Sequence, residues 1–262
     1  MYLFVMKIRF LFCCVPKSTL QLHSLHRTLI WLTAFSIAMG YLESAVVIYL
    51  RRLYYPHGFI FPLVPITPDI GLIEFLREAA TIIMLASIGI IGGRNTAQRF
   101  SLFIYSFAVW DIFYYLFLKI FDHWPASLFT WDILFIIPVP WVAPVLAPCL
   151  VSLTMIVLTL IIIFAAEKDQ HVKINLVQWS MLIVGAFVLI IAFTRDYVQY
   201  VSSQGHSILN PPKELGLFYD ISHYVPKSFD WWIFIAGELL LISAIISIYK
   251  HIRSNLPSKL KS

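Results

Sequence analysis

The chain has 262 residues, of which 60% are hydrophobic, 16% aromatic and only 13% charged, and its mean hydropathy is +0.83. A soluble domain carries about 25% charged residues, so a chain this apolar cannot cover its own surface in water, and its length suits one bundle rather than several domains. The net charge of +5 does not indicate nucleic acid, because the basic residues form no stripe and no binding motif; they stand at the ends of apolar runs, as orientation signals do.

Residues 1–15 are apolar but interrupted by Lys7 and Arg9, without a small-residue cleavage site, and read as an interfacial segment. A bilayer core of ~30 Å takes about 20 helical residues. Five runs fit: 28–50, 72–92, 100–121, 176–194 and 231–249. A sixth lies inside the apolar stretch 133–166, which as one helix would run ~51 Å at 1.5 Å per residue, well beyond the membrane. Pro138, Pro140, Pro144 and Pro148 remove backbone donors and forbid a regular helix through its first half. The fourth span is therefore 146–166, with Pro148 tolerated in its first turn. The preceding 133–145 segment is expected to be irregular and non-helical, at the outer rim or dipping back into protein, with Trp141 toward the bundle or the interface. Its unpaired backbone has to be covered by neighbouring helices or water. The longest loop is 196–230, broken by Gly205 and Pro211-Pro212.

The expected fold is thus all-α: a polytopic membrane helix bundle of about six transmembrane helices, one domain over 1–262, with a Pro-rich irregular segment before the fourth helix. Lysine and arginine positions orient it. With the N-terminus inside, Lys7, Arg9, Lys17, Arg27, Arg94, Arg99, Lys168, Lys173, Lys250, Arg253, Lys259 and Lys261 are cytoplasmic, whereas only Glu167 and Asp169 of the acids are. An even number of spans puts both termini in the cytoplasm, in a bacterial-type inner membrane, and makes the lipid bilayer the first partner.

Four carboxylates fall within spans rather than at their ends: Glu43, Glu78, Asp111 and Glu238. Glu43, Glu78 and Glu238 lie at matching depth, ~9–11 Å below the outer boundary, and Asp111 lies near mid-membrane. An ionised acid there costs a few kcal/mol, so it faces the bundle interior or a wet cavity. Ser36, Gly40, Glu43 and Ser44 share one face of the first span, a small polar stripe suited to close packing. Glu74, Arg77, Glu78 and Thr81 cluster on the second; Asp111, Tyr115 and Lys119 follow at four-residue steps on the third. Two readings stand side by side. In one the acids pair with Arg51, Arg52, Arg77 and Lys119 and only hold the helices together. In the other an outward-facing polar cavity binds a cation, a proton or a small polar ligand, with Glu43, Glu78, Asp111, Glu238, Arg51, Arg77, Lys119 and Asp132 as the candidate residues. Arg51 and Arg52, just beyond an outward crossing, oppose the usual charge bias; they neutralise Glu43 and Glu78 or contact lipid phosphates.

No metal and no cofactor is expected. Cys13, Cys14 and Cys149 make no metal spacing and no disulfide framework. Asp196, His206, Asp220, His223 and Asp230 in the last outer loop show no HxxxH, HExxH or CxxC spacing. All eight histidines fall outside the spans, which argues against haem held between transmembrane imidazoles. Walker A, GxSxG and GxGxxG patterns are also missing.

The stretch from Trp110 to Tyr115, with Trp124-Pro125, Trp131-Asp132 and the run from Ile137 through Pro138, Pro140 and Trp141 to Pro148, resembles a family of uncharacterised bacterial multi-pass membrane proteins. Tyr41-Leu42-Glu43 and Arg77-Glu78-Ala79-Ala80 resemble the same group, so the likeness covers roughly 41–148. It implies a membrane location and brings no known activity. Three function classes follow: a transporter-like or ligand- and cation-binding protein, an intramembrane enzyme using Glu or Asp as general acid/base on a lipid-borne substrate, and an accessory protein whose charge network fixes packing. The missing internal repeat weighs against a standard secondary transporter, and the missing nucleophile–base pair weighs against the enzyme.

Overall fold

The computed structural model describes residues 22–167, 174–206 and 219–254. Within them the elements run α1 (Leu22–Tyr54), α2 (Pro68–Gly92), α3 (Thr96–Asp122), β1 (Trp131–Phe135), β2 (Trp141–Pro144), α4 (Leu146–Glu167), α5 (Leu176–Ser203), a short α6 (Tyr219–His223) and α7 (Trp231–Ser254). Six of the helices are long and apolar enough to cross a membrane. The protein is an all-α multi-pass membrane protein. The 1–15 segment, Cys13 and Cys14, and the charged residues at 168, 173, 259 and 261 lie outside the described residues.

Local chemistry sets the helix ends. Pro68 opens α2, where its missing N–H would have no intrahelical partner, and Asp69 sits in the first turn, where an acid complements the helix dipole. Asn95 caps α3 by accepting the Gln98 N–H at 2.9 Å, and Asn175 forms a reciprocal capping box with Gln178 at the start of α5. The α3 helix stops at His123, which adopts a left-handed conformation (φ 52°). Pro148 stands in the first turn of α4, as expected.

The helices extend beyond the apolar runs that identify them. The largest difference is in α5, which continues from Thr194 to Ser203 and so makes Arg195, Asp196 and Tyr197 helical rather than part of a loop. Hydropathy marks only the part of a helix that lies in lipid. The extension is held by protein contact instead, with Tyr197 and Val201 buried against Val142, Ile221 and Tyr224.

The small stripe on α1 works as a packing face. A Cβ on Gly40 would meet the Trp110 carbonyl at 2.9 Å and the Tyr114 amide at 3.2 Å, so α1 and α3 approach backbone to backbone. Ser36 and Ser44 are fully buried, and their hydroxyls turn back to the Leu32 and Tyr41 carbonyls. Helices α1, α2 and α4 all pack on α3, whereas α5 packs chiefly on α7.

The Pro-rich segment is non-helical, but it is ordered rather than irregular. Strands β1 and β2 form an antiparallel hairpin with Trp131 opposite Pro144, Asp132 opposite Ala143 and Ile133 opposite Val142, with a register break before the Phe135–Trp141 pair. Pro138 and Pro140 fall in the connection between the strands, and Pro144 at the end of β2, where a missing ladder donor does least harm. Nor does the hairpin stay at the rim. Phe135 stacks on Phe107, near the middle of α3, with ring centroids 6.0 Å apart. The dip is possible because backbone groups find partners: the ladder itself, Val145 N–H to the Thr130 carbonyl, Leu146 N–H to the Leu128 carbonyl, and Ile136 N–H to Glu78. Trp141 points into the bundle, stacked on Phe193 at 5.9 Å.

Arg51 fastens this end of the bundle. It is 5% exposed, and its guanidinium reaches Asp122 at 3.4 Å and Asp132 at 3.6 Å. It also lies over the Trp124 ring at 3.8 Å and the Phe59 ring at 4.4 Å. One side chain thus joins the end of α1, the end of α3, β1 and the α1–α2 connection. Arg51 and Arg52 therefore do not neutralise Glu43 and Glu78: Glu43 lies eight residues before Arg51 on α1, ~12 Å along the axis. Arg52 is largely exposed, and its ion-pair contact among the described residues is with Asp122, at 3.7 Å. Arg51→Ala leaves Asp132 buried without a cation and is expected to lower stability by ~3–5 kcal/mol, whereas Arg52→Ala changes it little. Thermal unfolding in detergent, followed by tryptophan fluorescence, separates the two; equal effects would contradict this assignment.

Candidate functional site

Four elements meet around a small cavity between α1, α2, α3 and β1. It has a volume of about 60 Å³ and is lined by Glu43, Arg77, Glu78, Thr81, Trp110, Asp111, Tyr114 and Tyr115, with Val47 and residues 133–135 closing it. The three- and four-residue spacings of Arg77, Glu78 and Thr81 on α2 and of Trp110, Asp111, Tyr114 and Tyr115 on α3 bring these side chains to one side of each helix. Gly40 lets α1 come close enough for Glu43 to join them.

The carboxylates divide into two kinds. Arg77 is paired with Glu43 and, through its Nε and Nη2 at 2.8 Å each, with Glu74; Thr81 adds a hydrogen bond to Glu43 Oε2 at 3.2 Å. Glu43 is thus a counterion of a half-buried guanidinium. Glu78 and Asp111 are not so provided. Both oxygens of Glu78 accept the Ile136 backbone N–H, at 2.9 and 3.1 Å, and Asp111 accepts the Ser152 hydroxyl at 2.8 Å. Among the described residues no basic side chain is in ion-pair contact with either, although both are more than nine-tenths buried.

The remaining candidates take other places. Glu238 accepts the Thr154 hydroxyl at 2.7 Å, between α7 and α4, and does not line the cavity; its second oxygen is buried with no partner among the described residues. Matching depth did not bring it to Glu43 and Glu78, because depth fixes height on a helix and not the direction it faces. The four-residue steps on α3 likewise diverge. Lys119 donates to the Pro125 carbonyl at 2.8 Å, outside the cavity, while Tyr115 donates to Asp132 at 3.1 Å. Asp132 is 2% exposed. Burial pushes its carboxyl up to about 6, against the lowering pull of the Arg51 guanidinium and the Tyr115 hydroxyl.

The acids of the 196–230 region go to separate partners. Asp196 accepts the Tyr224 hydroxyl at 2.6 Å and the Lys227 amide at 3.2 Å, Asp220 pairs with His206 at 2.7 Å, and Asp230 pairs with Arg195. Four partners of the candidate acids and of Arg51 were not legible in the sequence: Asp122, Ser152, Thr154 and the Ile136 amide. Ser152 carried a faint signal as a hydroxyl in a strongly apolar span; Ile136 carried none, since any residue there has the same amide. Compared with protein families, curated proteins and solved structures, the chain finds no match in any of the three.

These partners predict different costs. Glu43→Gln leaves Arg77 with Glu74 alone and is expected to cost about 1–3 kcal/mol, below the ~3–5 kcal/mol of a fully orphaned buried charge. Glu78→Gln and Asp111→Asn keep an acceptor for Ile136 and Ser152, and each is expected to cost about 1 kcal/mol or less. Unfolding temperatures in detergent test the ranking, and a Glu78→Gln loss as large as that of Glu43→Gln would show that Glu78 also serves as a counterion.

Proposed function

We propose that the cavity between α1, α2, α3 and β1 is a binding site for protons or a small cation, used in a transporter-like or ion-responsive role, with Glu78 and Asp111 as the exchanging groups. One observation carries this reading: two buried carboxyls line one cavity with no basic partner in ion-pair contact. A buried carboxylate without a counterion is strongly disfavoured, so each such group is either protonated or accompanied by a bound cation. Either state can be exchanged, whereas Glu43 and Glu74 share the Arg77 guanidinium, which ties them into the framework. The cavity size also supports a minimal ligand. A water-sized particle needs ~10–15 Å³ of such space, so about 60 Å³ admits a few particles of that size and excludes a metabolite.

Purified protein in liposomes, examined by infrared difference spectroscopy on titration with acid and then with sodium or potassium, tests this directly. The expected result is a protonated-carboxyl band that is lost as pH or cation concentration rises, and that weakens in Glu78→Gln and in Asp111→Asn. An identical spectrum in wild type and both variants overturns it.

The same proposal includes the setting. The chain sits in a bacterial-type inner membrane with both termini cytoplasmic, beside the bacterial multi-pass proteins it resembles over 41–148, so that the cavity and hairpin belong to the outer half. The distribution of lysine and arginine supports that orientation. Single cysteines at exposed positions, placed in a background lacking the native three, are expected to label from outside at Ser127 and Ser203 and only after permeabilisation at Thr96 and Ser254. Labelling of Ser203 and Ser254 from one side would reverse or break the topology.

A further inference from the structure

A second chamber adjoins the polar cavity and is chemically unlike it. Its volume is about 220 Å³, and it lies between α3 and α4 on one side and α5 and α7 on the other, under the hairpin. Its walls are aromatic and aliphatic, with Phe107, Phe135, Trp141 and Phe193 the largest, and Val151 and Leu189 among the others. Asp111, Ser152 and Trp141 bring polar groups to this apolar wall, and two of them have hydrogen-bonding capacity to spare. One is Asp111, which lines both chambers and whose carboxyl accepts the Ser152 hydroxyl. The other is Trp141, whose indole N–H is buried with no hydrogen-bond partner among the described residues.

An orphaned buried donor costs about 1–3 kcal/mol, and a void this large forfeits packing that the interior normally keeps. Both features call for an occupant. An apolar cavity of ~150 Å³ takes up benzene, so this one accommodates a ring with a short substituent or a comparable length of chain. The polar requirement is specific. Asp111 has acceptor capacity beyond Ser152, and Trp141 offers a donor, so the head group must both donate and accept. A hydroxyl does so; an ammonium only donates, and a hydrocarbon does neither. Access is from the bilayer: Ala186, on the chamber wall, is exposed near the middle of α5, between the exposed Ile183 and Phe187.

We infer that this chamber binds a membrane-soluble alcohol or phenol, with its hydroxyl at Asp111 and the Trp141 N–H and its apolar body against Phe107, Phe135 and Phe193. The inference rests on the proton or cation reading in one respect: Asp111 is the wall common to both chambers, so occupancy of the apolar side bears on the carboxyl that serves the polar side.

The test uses the full chain in phosphatidylcholine nanodiscs with two probes of similar shape, 4-butylphenol and butylbenzene, and reads binding by the shift in thermal unfolding. Wild-type protein is expected to bind the phenol about tenfold more tightly than the hydrocarbon. Trp141→Phe keeps the ring and removes the N–H. Asp111→Asn halves the acceptor oxygens and removes the charge, leaving one amide oxygen to be shared between Ser152 and the ligand hydroxyl. Each is expected to reduce phenol binding several-fold with butylbenzene unchanged. Val151→Phe, or Ile190→Phe if the first does not fold, fills the chamber and is expected to abolish binding of both. Equal binding of the two probes by wild type, or phenol binding that survives the filling substitution, overturns the inference. Its failure is separable from failure of the ion reading. Loss of phenol selectivity with the Glu78-dependent carboxyl band intact removes only this inference, and loss of that band with phenol selectivity intact removes only the other.

Discussion

Positive charge is scarce where this protein buries its acids, and much of the architecture follows from where the two available guanidiniums are placed. A carboxylate in a low-dielectric interior is balanced by a cation or takes up a proton, and hydrogen bonds support either state without replacing it. Arg77 compensates Glu43 and Glu74 at one level of the bundle. Arg51 pairs with Asp122 and Asp132 about two turns away, where α1 and α3 both end. Glu78, Asp111 and Glu238 fall between or beside these two centres with no ion-pair contact among the described residues, and Arg77 reaches Glu78 only through its charge across the shared cavity. The same distribution separates a framework from a reactive remainder. Acids in ion-pair contact with Arg77 or Arg51 belong to the framework, and Glu78 and Asp111 are the groups that the proposed exchange would use.

The hairpin is the second consequence. A chain that dips into a bundle as extended backbone has to satisfy its amides there, and one of them, Ile136 N–H, is satisfied by Glu78. This single contact gives an otherwise uncompensated acid a donor and gives a strand connection an acceptor. Its geometry also explains why four prolines are tolerated within eleven residues. They occupy a turn, a strand end and the first turn of a helix, where the missing N–H groups remove little. Arg51 then pins the base of the hairpin through Asp132, with Trp124 and Phe59 stacked against its guanidinium.

Placing a hairpin in the bundle also creates the two chambers. Leu134 and Phe135 lie at the boundary, facing the carboxyl-lined cavity on one side and the aromatic chamber on the other. Asp111 completes that partition from α3. A carboxyl set between a small polar space and a larger apolar one is positioned to respond to both, which is why the proposed ion site and the proposed hydroxyl site share a residue rather than merely lying near each other.

Composition and periodicity alone were enough to determine the membrane class, six spans, the non-helical character of 133–145 and the burial of Glu43, Glu78, Asp111 and Glu238. Those properties follow from the cost of moving groups between water and lipid, which is written residue by residue. Partnership was not legible in the same way. That Arg77 takes Glu43, that Arg51 takes Asp132, that Glu238 turns to Thr154 and that Lys119 reaches a loop carbonyl depend on the rotation of each helix about its own axis. Close approaches such as Gly40 on Trp110 set that rotation, and no periodicity reports it. The extension of α5 past Thr194 was hidden for a related reason, since packing against Val142, Ile221 and Tyr224, not hydropathy, holds it. The hairpin pairing was hidden because it is a relation between two short segments, and the Ile136 amide because a backbone N–H is the same in every sequence. Transfer free energy is a property of single residues and is carried by the chain; the choice of partner is a property of pairs, and only the packed structure decides it.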